Sequence, residues 1–296
     1  MTQIETYQDH LLAFSLPDRD VRGRVVRLDH VATTILAAHD YPPVIRQLLA
    51  EALVLTALLG SLTKGEGSQL TMQAQTESGV VSLLVCDYRD GELRGYVQHD
   101  ADRLAGIGTN PGLTDLFGPG YLAITFDLAA TGERYQGIVP LEGASLAEAC
   151  ENYFALSEQV PTLLRVGVRF AGDACLAGGL LVQHLADGEE GRERLHVRMD
   201  HPEWEHVAII AGSVKEAELL DPALSLEALT WRLFHEEPEV RVHPVIALSR
   251  GCRCSIAHFE EILARFPTQE RAEMRDDKGV IMVDCAFCSR LFPIED

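Results

Sequence analysis

Four of the seven cysteines stand in two tight pairs near the C-terminus: Cys252-Arg253-Cys254 and Cys285-Ala286-Phe287-Cys288, with about 30 residues between them. A C-x-C followed by a C-x-x-C supplies four soft ligands from two short chelating turns, which suits a tetrahedral thiolate site for Zn²⁺. The same four sulfurs can instead oxidise to disulfides. Only the metal ties the two pairs together. Cys86, in the apolar run Val80–Cys86, Cys150 and Cys175 read as small buried hydrophobes, since free cysteine packs well inside a core. His235, His243 and His258 lie near the pairs in sequence, but four thiolates already fill a tetrahedral site, so they are expected on the surface or in the core. No Ser/His/Asp, paired-carboxylate or phosphate-loop constellation stands out, and Gly106-Ile107-Gly108 lacks the third glycine and the strand–helix setting of a nucleotide loop. No catalytic or cofactor-binding residue is assigned.

The chain has 296 residues, 47% hydrophobic and 24% charged, the balance of a folded protein with one large core or two unequal domains. Its net charge of −20 repels phosphate backbones, so nucleic acid is not an expected partner. The basic residues of the tail, from Arg250 to Asp296, are outnumbered by acidic ones and offer no basic patch. Met1 to Phe14 shows no basic region ahead of an apolar run, so no signal peptide is expected and the cytoplasm is the default location. The longest apolar stretch, Val44 to Leu62, is broken by Arg46, Gln47 and Glu51 and reads as a core helix, not a membrane span. In a reducing compartment, paired cysteines are metal ligands or redox elements more often than structural bridges.

The elements that must position the cysteines fall into three blocks. Val21–Leu28 fits an early strand, and Pro42-Pro43 opens a helix whose apolar positions cover most of its circumference, ended by Gly65-Glu66-Gly67. Gln69–Gln75, Val80–Tyr88, Glu92–His99, Tyr121–Leu128 and Arg134–Val139 alternate with period two and read as antiparallel strands. Ser145 with Glu148 makes a capping box for a helix through about Gln159, followed by strands Leu163–Phe170 and Ala174–His184. A charged, glycine-flanked stretch, residues 187–194, marks a boundary. Pro202 to Glu237 is helical in pattern but broken into short pieces by Pro222 and followed by Pro238 and Pro244. Short amphipathic helices depend on what they pack against, so this segment reads as a docked layer able to detach.

Short motifs run the length of the chain: Arg22-Gly23-Arg24 with Val26-Arg27-Leu28, His39-Asp40-Tyr41-Pro42, Leu93-Arg94-Gly95-Tyr96 and Gly120-Tyr121-Leu122-Ala123-Ile124-Thr125. They continue with Tyr135-Gln136-Gly137-Ile138-Val139-Pro140-Leu141, Tyr153-Phe154, Ser157-Glu158-Gln159, Pro161-Thr162, Leu233-Phe234-His235-Glu236-Glu237 and Cys252-Arg253-Cys254-Ser255. In these motifs and their shared order the chain resembles the heat-shock protein 33 family, the redox-regulated holdase chaperones of bacteria.

The resemblance implies an α+β fold. A large domain of antiparallel sheet and packed helices spans residues 1–193, a metastable helical linker residues 194–249, and a small zinc-binding domain residues 250–296. It implies that Cys252, Cys254, Cys285 and Cys288 hold one Zn²⁺ per chain in the reduced, inactive protein. Oxidation is then expected to release the metal and join Cys252 to Cys254 and Cys285 to Cys288. The linker unfolds, and the protein binds unfolding client proteins without ATP, as a homodimer when oxidised.

The chemistry fits. Structural zinc stabilises a small domain by roughly 10–16 kcal/mol. A disulfide across C-x-C or C-x-x-C closes only a few residues and cannot bridge the gap between the pairs. Trading metal for two local bridges is therefore expected to unfold the tail and undock residues from about Arg194 to Ser249. That would bare Trp204, Val207, Ile210, Leu219, Leu220 and Leu233. Arg253 and Arg290 are candidates to steady the thiolate charge, or are plain surface arginines. Two other readings compete: a thiol–disulfide oxidoreductase using the C-x-x-C, and a structural zinc-ribbon interaction module.

Overall fold

The computed structural model describes residues 9–108, 111–185 and 200–295. The chain opens with β1 (His10–Leu16), β2 (Val21–Leu28), α1 (His30–Leu36) and α2 (Pro43–Gly60). A meander follows: β3 (Gln69–Thr76), β4 (Val81–Arg89) and β5 (Glu92–His99). Then come α3 (Ala101–Ala105), α4 (Leu113–Phe117), β6 (Gly120–Asp127), β7 (Arg134–Pro140), α5 (Leu146–Tyr153), β8 (Thr162–Ala171) and β9 (Ala174–His184). Within the stretch expected as the linker, three helices form a layer: α6 (Pro202–Gly212), α7 (Glu216–Leu219) and α8 (Leu226–Phe234). Three two-residue strands, β10 (Arg241–Val242), β11 (Ile246–Ala247) and β12 (Ser249–Arg250), lead to α9 (Ile256–Leu263), α10 (Thr268–Glu273), β13 (Val280–Asp284) and β14 (Leu291–Glu295). The fold is α+β. The charged stretch at residues 187–194, and with it the expected boundary at 193/194, lies outside the described residues.

Two sheets sandwich α2. One runs β10-β1-β2-β9-β8, with β11 also on β1, and the other β12-β5-β4-β3-β6-β7. Thirteen of the 18 residues of α2 are buried, because both sheets close over it. Length and composition alone would let α2 cross a membrane, yet its apolar surface is consumed by this core. The helix stops at Gly60, earlier than the expected Gly65-Glu66-Gly67. A Cβ on Gly60 would fall 2.4 Å from Tyr88 Cγ, and the hydroxyls of Ser61 and Thr63 donate to the carbonyls of Leu58 and Gly60, closing the last turn.

The period-two strands are antiparallel neighbours, as the short spacings predict. Asp90 (φ +50°) and Gly91 (φ +83°) both take the left-handed region between β4 and β5, the geometry a two-residue hairpin of right-handed twist requires. Ser145 does cap α5, its Oγ accepting from Glu148 N (3.2 Å), but the Glu148 carboxylate accepts from Ala144 N (2.7 Å) instead of completing the box on Ser145. α5 ends at Tyr153, short of Gln159, and passes into a π-type turn over Phe154–Glu158. β1, α1, β10, β11 and β12 have no counterpart in the sequence reading.

The faces of the two sheets differ in a way that matters for the site. β3, with sequence QLTMQAQT, alternates half-buried and buried, so its sheet leaves one polar face open. β9 is buried along nearly its whole length, so its sheet is covered on both sides. One cover is α2. The other is the linker layer: Val207, Ala211, Leu219, Leu226, Leu229 and Phe234 pack onto Leu12, Phe14, Val25, Leu163, Leu180 and Val182.

Candidate metal centre and the neighbouring layer

The four expected cysteines converge. Their sulfurs all lie within 4.8 Å of one another, at 3.2 Å for Cys252–Cys254 and 3.6 Å for both Cys252–Cys285 and Cys254–Cys288. Zn–S bonds of about 2.3 Å at tetrahedral angles place sulfurs roughly 3.8 Å apart, so the cluster has the size of a four-thiolate zinc site. No disulfide joins any of the seven cysteines. Burial opposes ionisation of Cys252, but the Cys254 amide and the neighbouring sulfurs hold its thiol below the ordinary range. Burial and then the adjoining sulfurs push Cys254 well above it, and burial raises Cys285 too. One negative charge is thus stabilised and further ones are resisted. A divalent cation is the natural partner that lets all four sulfurs ionise, and the donor set fits Zn²⁺.

Local structure aims the sulfurs. Cys285 and Cys288 occupy the turn of the β13–β14 hairpin, where Cys288 N and Ser289 N both donate to Cys285 O (3.1 and 2.8 Å). Ser289 takes φ +54° to close it. This hairpin setting differs from the strand–helix unit in which a thioredoxin-like C-x-x-C sits. Cys252 and Cys254 follow β12, which pairs in parallel with β5. Ser255 then caps α9 through His258 N (3.2 Å). The apolar cluster of this tail is small: Leu263, Ile281, Phe292, Ile294 and Cys285, flanked by Phe259, Val283 and Phe287. Too little surface is buried there to hold the tail without a staple.

The residues between the cysteines dock the cluster onto the polar face of the second sheet. Phe287 lies under the Arg94 guanidinium (3.9 Å from Cζ to the ring centroid) and meets Tyr96 edge-on at 4.9 Å. Arg253 turns to Asp87 (Nη2–Oδ2 3.3 Å), where Arg94 and the Thr71 hydroxyl also bond. Arg253 is therefore spent on a carboxylate and not on the sulfurs, and Arg290 stacks on Phe292 (5.2 Å). The His39 imidazole contacts Ala286 O and Ser289 Oγ, each at 2.9 Å. The sequence reading missed His39, Asp87, Arg94 and Tyr96 as supports. The signal was present only as family motifs around His39 and Arg94. His235, His243 and His258 are exposed and outside the cluster. Cys86, Cys150 and Cys175 are fully buried, and burial raises all three thiols, Cys175 to about 12.

The linker layer is fastened by arginines of the covered sheet and of the turn between β1 and β2. Arg27 is 2% exposed and donates to the carbonyls of Leu219 (3.1 Å) and Leu224 (2.8 Å). Arg169 donates to Leu220 O at 3.1 Å. Arg19 bonds Glu203 and Glu237, and His206 also reaches the buried Glu237 carboxylate (2.7 Å). After α8 the chain joins both sheets within residues 241–250: β10 and β11 add to β1, and β12 adds to β5 one residue before Cys252. Val207, Leu219 and Leu220, named from sequence as surface to be bared, are buried, while Trp204, Ile210 and Leu233 are half-buried.

The comparisons agree with this architecture. The family model described as Hsp33 protein matches residues 9–295. A protein of Caulobacter vibrioides (strain NA1000 / CB15N) named 33 kDa chaperonin is 39% identical over 295 residues, covering 97% of this chain and 95% of its own. A 33 kDa chaperonin of Nitrosococcus oceani is 35% identical over 283 residues, covering 96% and 90%. The solved structure of the 33 kDa chaperonin (Hsp33 homolog) of Thermotoga maritima superposes with a TM-score of 0.78 at 22% identity, covering 97% of this chain and 94% of that one, a likeness of fold. The chain belongs to the Hsp33 family, a family of chaperones carrying a four-cysteine cluster compatible with redox-sensitive zinc binding.

Proposed function

We propose that this chain is a redox-regulated, ATP-independent holdase, inactive when reduced and zinc-bound and active when oxidised. Residues 1–193 act as the α+β core, 194–249 as the metastable linker and 250–296 as the switch, in which Cys252, Cys254, Cys285 and Cys288 hold one Zn²⁺. The observation that carries the reading is a juxtaposition. Four sulfurs meet in a tail with almost no core of its own, and that tail is continuous with a layer covering an apolar sheet face.

Bound there, Zn²⁺ supplies the charge that keeps the sulfurs ionised and cross-links two remote segments. A thiolate attacks peroxide, breaking its O–O bond to give a sulfenic acid and hydroxide. The paired thiolate then displaces a second hydroxide to form the disulfide. Done twice, this joins Cys252 to Cys254 and Cys285 to Cys288 and consumes all four donors. Neither bridge spans the pairs, so the tail loses its staple. Release of β12 from β5 and of the linker helices then bares Phe14, Val25, Leu180 and Val182 together with the apolar sides of α6 and α8. Unfolding client proteins bind that surface. The oxidised form acts as a homodimer in the cytoplasm, performs no catalysis, and takes neither nucleic acid nor membrane as a partner.

The test follows zinc content and free thiols before and after peroxide at elevated temperature, alongside suppression of citrate synthase aggregation. Zinc loss, disappearance of four thiols and gain of suppression are expected together. Suppression equal in the reduced and oxidised protein overturns the reading.

A further inference from the structure

Away from the cysteines, β8 offers an open sheet edge. Among the described residues it pairs only with β9. The N–H of Leu164 points off that edge, donating to Glu151 Oε1 (2.7 Å), and its carbonyl accepts from Arg165 Nη1 (2.7 Å). Residues of equal parity in a strand send their N–H and C=O groups the same way. The backbone groups of Val166 and Val168 therefore also point outward, and among the described residues they meet no partner. An unpaired edge of this kind is a template for another strand.

The edge borders a cavity of about 320 Å³, walled by Gln47 and Glu51 of α2 and by Glu216 of α7. A second cavity of about 280 Å³ shares Gln47 and Glu51 and is lined by Val44, Leu48, Leu113 and Leu116. The Glu51 carboxylate accepts from Ala147 N (3.1 Å) and meets no cationic side chain among the described residues. Burial raises its pKa against the opposing pull of the α5 amides. One wall belongs to the linker. A Cβ on Gly167 would lie 2.6 Å from Glu216 Cγ, so the glycine lets α7 lie flat against the strand.

We propose that the β8 edge is a strand-addition site for an extended, unfolded segment alternating apolar and basic side chains. Its backbone bonds Val166 and Val168, its basic side chains, on the α2 side of the sheet, meet Glu51, and its apolar side chains fall on the opposite side, the one α7 covers. The site rests on the holdase reading, since it names where a client attaches, and it widens when α7 leaves with the linker.

The test uses fluorescent short peptides on the full-length protein, reduced and oxidised: alternating Val/Lys, alternating Val/Glu, and Val/Lys with its alternate amides N-methylated. The Val/Lys peptide is expected to bind about tenfold tighter than Val/Glu, and more tightly to the oxidised protein. N-methylation removes binding with no change to the protein. Val166→Pro removes the outward N–H and is expected to weaken binding about tenfold, while Glu51→Gln erases the Lys/Glu preference. Equal binding of the methylated and unmethylated peptides, or of the Lys and Glu peptides, overturns the proposal. So does a Val166→Pro variant that changes sedimentation alone, because the edge would then belong to a second copy of this chain. Oxidised wild type that fails to suppress aggregation removes the holdase reading instead, and the peptide results still decide the edge.

Discussion

Phe287→Ala separates docking of the cysteine module from the cysteines themselves. The substitution touches no sulfur and leaves the Cys288 N–Cys285 O turn bond in place. It removes the ring beneath Arg94 and beside Tyr96. The cation–π contact is worth about 0.5–2 kcal/mol and the edge-on aromatic contact about 0.5–1.5 kcal/mol. At about 1.4 kcal/mol per factor of ten, their combined loss of roughly 1–3.5 kcal/mol shifts the docked–undocked balance by about 5- to 300-fold. The amides of Ser249 and Gly251, which donate to Gly91 O (3.0 Å) and Leu93 O (2.9 Å), report that balance through hydrogen exchange. The expected result is faster exchange at both amides, with zinc still bound at one per chain and a lower oxidant dose for activation. A cycle with Arg94→Ala should show non-additive coupling, since the two groups act as one contact. Exchange unchanged from wild type, or two fully additive losses, would refute the claim that Phe287 anchors the module. Loss of zinc would show that the substitution acts on the ligands instead.

Cys285→Ser removes one of four donors and is expected to abolish stable zinc retention, leaving residues 252–295 protease-sensitive without oxidant; metal content and limited proteolysis check this. Leu229→Ala, at a fully buried position facing the covered sheet, should cost about 2–5 kcal/mol and undock the linker while zinc stays bound, read as trypsin cleavage after Arg232. Acid should also loosen the linker. Burial alone would raise the Glu237 pKa, but Arg19 and His206 hold it below the usual carboxylate range. A depressed carboxylate contributes stability that is complete above its unfolded value of about 4.3 and is lost as pH falls through the folded one. Exchange of α6 and α8 amides should therefore accelerate below about pH 4, and Glu237→Gln should remove the acid step.

The sequence alone determined the local chemistry. Two cysteine pairs of chelating spacing name their own ligand set, because each pair needs only one turn of chain to aim its sulfurs. The strands from Gln69 to Val139 were equally plain, since alternation over a half-exposed sheet writes its faces into the order of residues. The edge strands were not legible: β10, β11 and β12 are two residues long, too short for any period, and exist because a sheet edge already stands there. β1 carries apolar residues on both faces, a pattern that reads as a strand only once α2 and the linker are known to cover each side. Nor could the sequence foresee which surface holds the switch. Arg253 meets Asp87 across 166 positions and His39 meets Ala286 across 247, and such pairings follow from packing two sheets around one helix, which no spacing along the chain encodes.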